Sequence, residues 1–206
     1  MKNMLLTLLA ALMVLTLAAC GSKTTDSNDT SSGTNGSLPS SDSASDTGSI
    51  ADATELLNTV WGSYSEEDKF PVMGGDVSQE HTNLEGPGTY SLDDPAALDS
   101  ALGFPAASID KIDGAASLVH MMNANTFTCG AYHVAEGVDV QALASEIQNN
   151  IMTRQWICGF PDQLKIDIVE DYLVAFFGAA DVTDTFQTYL TSAYPSAQVV
   201  CEEPIA

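Results

Sequence analysis

Apolar residues recur along this chain in distinct rhythms, and each rhythm predicts an element. Ala53, Leu56, Leu57, Val60, Trp61 and Tyr64 share the stripe of an amphipathic helix, and Ser49-Ile50-Ala51-Asp52 reads as its capping box. An irregular passage runs from Phe70 to Ser91, with Gly74-Gly75 and Gly86-Pro87-Gly88 as turn signals. Asp94 followed by Pro95 then predicts a helix start, with Leu98, Ala101 and Leu102 inward and Gly103 and Pro105 as the stop. A helical turn around Ile109 to Ile112 leads into two strands, Ala115 to Met122 and Thr126 to Val134, about an Asn123-Ala124-Asn125 turn. Asp139 caps a helix that buries Val140, Leu143, Ala144, Ile147 and Ile151. Leu164, Ile166 and Ile168 alternate as a strand, and Tyr172 to Ala179 is a continuous apolar strand joined to it through Glu170-Asp171. A last helix, with Asp181 as its expected cap, buries Val182, Phe186, Leu190 and Ala193.

That order predicts an α+β fold: a mainly antiparallel four-stranded sheet (a ββαββα core) with helices packed on one face, preceded by N-terminal helices. Ile50 to Ala206 is long enough for one domain with a core and too short for two. The stretch before it is different material. Gly21 to Ser49 is almost entirely Ser, Thr, Gly, Asp and Asn, and cannot bury enough apolar surface to offset the entropy of ordering it. Residues 20–49 are therefore expected to be a tether.

Residues 1–19 have the layout of a secretory signal: a cationic start at Lys2, then Met4 to Leu17 apolar apart from Thr7 and Thr16. The segment ends in Leu17-Ala18-Ala19-Cys20, which resembles the lipobox of bacterial lipoproteins. The resemblance implies acylation of the Cys20 thiol, cleavage before it, and residence on the extracytoplasmic face of the cell membrane. Several acyl chains would make such anchoring effectively permanent.

Charge narrows the partners. Removing residues 1–19 takes one of the six basic side chains, leaving five against 28 acidic ones and a formal charge of −23. A polyanion of this kind is repelled by phosphate backbones, so nucleic acid is excluded as a partner.

Candidate chemistry is sparse. Three thiols remain after Cys20, namely Cys129, Cys158 and Cys201, and outside a membrane a disulfide persists. A Cys129–Cys158 bridge is the one favoured by topology, since the helix after the second strand returns the chain towards that strand's start. Three reduced, buried thiols are the equal alternative. A three-residue turn would set His120 opposite Thr128 and His133 opposite Ala115. That leaves the two imidazoles about 17 Å apart, too far for one ion. Asp93, Asp94, Asp181 and Asp184 are explained by helix starts, and Asp110 and Asp113 flank a turn. No calcium loop, Gly-x-Ser-x-Gly elbow or phosphate-cradling glycine loop is present. No metal or cofactor is expected. Asp76, Glu80 and His81 remain, in a connection from Met73 to Tyr90 of about 20 residues, a length at which loops are often functional.

The block Met121-Met122-Asn123-Ala124-Asn125-Thr126-Phe127, the helix ending near Arg154, and Asp171-Tyr172-Leu173-Val174 resemble an uncharacterised family of small Gram-positive lipoproteins, a domain of unknown function. The likeness spans Pro95 to Leu190, and the cysteines beyond Cys20 depart from it. It implies the fold and the address, and brings no catalytic residues. Two functions follow as expectations: a non-enzymatic binding or scaffolding module for an envelope or extracellular partner, or a hydrolase acting on envelope material from the 73–90 loop. A two-lobed solute receptor would need more chain. A cleft beside His81 would favour the hydrolase.

Overall fold

The computed structural model describes residues 49–157 and 159–205. The expected signal segment, Cys20, the expected tether up to residue 48 and Cys158 lie outside the described residues.

The fold is α+β. The first helix, α1 (Ala53–Gly62), is capped by Asp52, whose carboxylate accepts the Glu55 N–H at 2.8 Å. Glu55 reaches back to the Ala51 N–H at 2.6 Å. The capping box is therefore Asp52 to Glu55, one turn later than the expected Ser49 to Asp52. Two short strands follow, β1 (Val72–Met73) and β2 (Gly88–Thr89). In α2 (Pro95–Leu102), Asp94 caps the Ala97 N–H at 3.0 Å, and Gly103 closes the helix at φ 78°, where a side chain would be strained. A 3-10 helix (Ala106–Lys111) leads into β3 (Ile112–His120) and β4 (Phe127–Val134). Then come α3 (Val140–Thr153), capped by Asp139, β5 (Gln163–Val169), β6 (Tyr172–Gly178), α4 (Ala180–Ala193) and β7 (Gln198–Pro204).

All seven strands join one antiparallel sheet in the order β1-β3-β4-β6-β5-β7, with β2 also on the free edge of β3. The expected sheet of four strands is its centre. The three additional strands are short or marginal in pattern: β1 and β2 have two residues each, and in β7 only Cys201 is buried. They exist because an edge was available to pair with, not because of their own periodicity.

Helices cover both faces of the sheet, where one face was expected. On the first, α2 and α3 lie over Tyr132, Leu164, Leu173 and Phe177. On the second, α1 and α4 lie over Leu118, Phe127, Val174 and Phe176, with Phe186 of α4 wholly buried among them. The second face accommodates polar groups on β5. Lys165, 5% exposed, meets Asp184 of α4 at 2.7 Å and Glu202 of β7 at 3.3 Å. Asp167, wholly buried, accepts a hydrogen bond from the Gln187 amide at 2.5 Å, and burial pushes its carboxyl above the usual range.

Two further expectations shift. Asp181 does not cap α4; the N-cap is Ala179, and the Ala180 N–H donates to Asp162 from the segment before β5 at 2.9 Å. Cap chemistry is satisfied here by a residue distant in sequence. The β3–β4 register is also one residue from the expected one: Val119 faces Thr128 and Gly114 faces His133. A bulge between Ile112 and Gly114 absorbs the remainder.

Candidate functional site

The 73–90 connection is a closed hydrogen-bonded structure. Gly74 and Asn83 exchange both backbone hydrogen bonds, at 2.8 and 2.9 Å. Ser117 of β3, 1% exposed, accepts the Gly75 N–H through its hydroxyl at 2.9 Å and so fixes the loop to the sheet. The Asn83 amide donates to the Pro87 carbonyl at 2.9 Å, and the Trp61 indole donates to the Glu85 carbonyl at 3.3 Å. The glycines permit this closeness. A Cβ on Gly75 would stand 1.9 Å from the His81 carbonyl oxygen, and one on Gly88 would stand 2.6 Å from it.

Asp76 organises the interior of that loop. One carboxylate oxygen accepts the Ser78 N–H at 2.8 Å; the other accepts the Ser91 N–H at 3.1 Å and meets His81 Nδ1 at 2.7 Å. Burial works against its charge, yet the hydrogen bonds from His81, Ser78 and Ser91 hold it well below the usual carboxylate range. The hydrogen bond to Asp76 in turn raises His81 above its ordinary 6.5. Asp76 and His81 are thus a hydrogen-bonded pair that shapes the loop. Glu80, in contrast, is exposed, and the three predicted residues do not converge.

A pH dependence follows. A raised histidine contributes stability in full below its unfolded value and loses it as pH climbs through the higher folded value. Asp76 behaves oppositely: its contribution is present above its ordinary 3.8 and fades as pH falls through the lowered folded value. His81→Gln is therefore expected to lower the thermal midpoint more at about pH 5.5 than at about pH 9. An equal loss at both, in paired melts with the parent, would show that His81 is uncharged in the folded protein.

The other predicted groups are scattered. His120 stacks on Phe70 with ring centroids 5.5 Å apart, and its Nδ1 accepts the Met122 and Asn123 N–H groups. His133 sits near the opposite end of the strand pair, bonded through Nδ1 to Asp113. Among the described residues no group of three His, Cys, Asp or Glu side chains is placed to hold a metal ion. Cys129 is a free thiol in the core between the sheet and α1 and α4, and burial pushes it well above its ordinary value. Cys201 is also free, in the core on the other face, and burial pushes it up to about 11. Neither is an activated nucleophile.

Recesses on the described surface include ones of about 470, 220, 340 and 500 Å³, and these are walled by residues other than Asp76, Glu80 and His81. The recess of 220 Å³ lies between the end of α2, the 123–126 turn and the segment after α3. Its walls include Asn125, Thr128, Arg154, Trp156 and Phe177. The Arg154 guanidinium stands 5.0 Å from the centroid of Trp156 and 5.8 Å from that of Phe177. It donates to the Ser100 carbonyl at the end of α2 at 2.7 Å, where a cation also meets the negative end of the helix dipole. Asn125 ties the turn to the neighbouring segment, its amide donating to the Ile157 and Gly159 carbonyls at 3.1 Å each. At the rim of the recess Ile157 is 80% exposed. Sequence reasoning missed this site; its one signal was that Arg154 is the chain's single arginine.

No protein-family model, curated protein or solved structure matches this chain.

Proposed function

We propose that the chain is a lipid-anchored extracytoplasmic binding module of the cell envelope, held to the bilayer through acylated Cys20 and presenting its domain on the 20–49 tether. The address rests on Leu17-Ala18-Ala19-Cys20 following an apolar segment, and on the resemblance to small Gram-positive lipoproteins. The binding role rests on the recess at Arg154, walled by Trp156 and Phe177 with Ile157 exposed at its rim. A hydrolase centred on the 73–90 loop has less support, because Asp76 and His81 are hydrogen-bonded to each other and Asp76 to the loop backbone.

Cys20→Ala tests the address. A thioether-linked diacylglyceryl group cannot form on alanine, so labelling by a fatty-acid probe should vanish and the protein should leave the membrane fraction. Labelling equal to that of the parent would overturn the anchoring.

A further inference from the structure

The charge inventory of the folded domain singles out Arg154. Among the described residues, Lys69 pairs with Glu66 at 2.7 Å, Lys111 with Glu146 at 2.6 Å and Lys165 with Asp184 at 2.7 Å. Arg154 has no carboxylate partner among them, in a chain with 28 acidic residues. Its Nη1 is shut off from solvent against Gly103, while its Nη2 donates to the Ser100 carbonyl. A guanidinium offers five donors in a planar fork that matches a carboxylate.

We propose that this recess binds a monocarboxylate carried on an apolar body, with the carboxylate on Arg154 and the body between Trp156, Phe177 and the rim at Ile157. The inference deepens the binding-module reading and rests on it. Size agrees: a cavity of about 150 Å³ accommodates benzene, and this recess measures about 220 Å³. Charge agrees as well. One guanidinium balances one negative charge, whereas a phosphate dianion would face the field of a chain whose formal charge is −22. The exposed Ile157, with Trp156 and Phe177 in the walls, favours an apolar body over a hydrated one. The shared chemistry fits a free acid or the chain end of a peptide with an apolar last residue.

The test titrates the full chain with 3-phenylpropionate, read by calorimetry and by the fluorescence of Trp156. Saturable binding is expected with a dissociation constant on the order of 1 mM. The uncharged 3-phenylpropionamide should bind at least about tenfold more weakly, as should the acid to Arg154→Gln, because each change removes a charge-assisted hydrogen bond. Arg154 also braces the end of α2, so a fold defect in that variant would mimic lost binding. Ile157→Glu covers this case: the residue is exposed, the melting midpoint should be unchanged, and the added charge at the rim should weaken the acid several-fold. N-acetylphenylalanine binding more tightly than 3-phenylpropionate assigns the source to a peptide end; the reverse order assigns it to a free acid. Equal affinity for acid and amide, no saturation, or indifference to Ile157→Glu overturns the proposal. Those results would leave the anchoring test at Cys20 untouched.

Discussion

Phe186→Ala should cost the domain about 3–5 kcal/mol, the range for deleting a fully buried aromatic ring. The ring is wholly buried, with centroids 5.1 Å from Phe127 of β4 and 4.8 Å from Phe176 of β6. It is the contact through which α4 holds the centre of the sheet, and the neighbouring backbone cannot collapse to fill the void because both strands are paired on each side. Chemical denaturation measures the loss directly. Phe160→Ala, at a ring 65% exposed, serves as the control and should change stability by less than about 0.5 kcal/mol. If the two variants lost similar amounts, α4 would not be packed against this face.

Gly75→Ala should lower stability by about 2–4 kcal/mol, adding backbone strain to overpacking. Gly75 has φ 84°, and its missing Cβ would stand 1.9 Å from the His81 carbonyl oxygen, a backbone atom that cannot rotate away. Relief would require opening the loop, which breaks the Gly74–Asn83 pair and draws Asp76 from its donors. Gly137 separates the two causes. Its φ is 82° and a Cβ there would meet nothing within 4 Å, so Gly137→Ala should show only the strain, about 1 kcal/mol. Thermal or denaturant unfolding of both variants checks the difference. Equal losses would mean that the 73–90 loop yields without resistance and is less tightly built than its hydrogen bonds indicate.

The loop shows how far residue types alone carry a site. Asp76, Glu80 and His81 are within five positions, which suggested convergence on a ligand. The fold instead turns Asp76 inward to bond His81 and two backbone N–H groups, and leaves Glu80 exposed. Arg154 is the reverse case. Nothing around it in sequence forms a motif, and its site arises from α2, the 123–126 turn, β4 and β6, which bring Ser100, Asn125, Thr128 and Phe177 to it.

Sequence by itself determined the elements whose signal is local. The stripes of α1, α3 and α4, the caps Asp94 and Asp139, and the four central strands are all legible, because helix caps and buried faces are written within a few adjacent residues. The continuous apolar run of β6 carried a signal for burial on both sides, with Leu173 and Phe177 on one face and Val174 and Phe176 on the other, although the expected helices covered only one face. Tertiary structure decided the rest. The edge strands β1, β2 and β7 follow the backbone groups offered by β3 and β5. Lys165 and Asp167 make β5 look wet on one side, yet α4 supplies Asp184 and Gln187 and covers them. The cap of α4 comes from Asp162, a residue brought to it by the β5–β6 pairing rather than by sequence. In each case the deciding partner is distant in sequence, and a pattern read along the chain carries no information about a contact made across it.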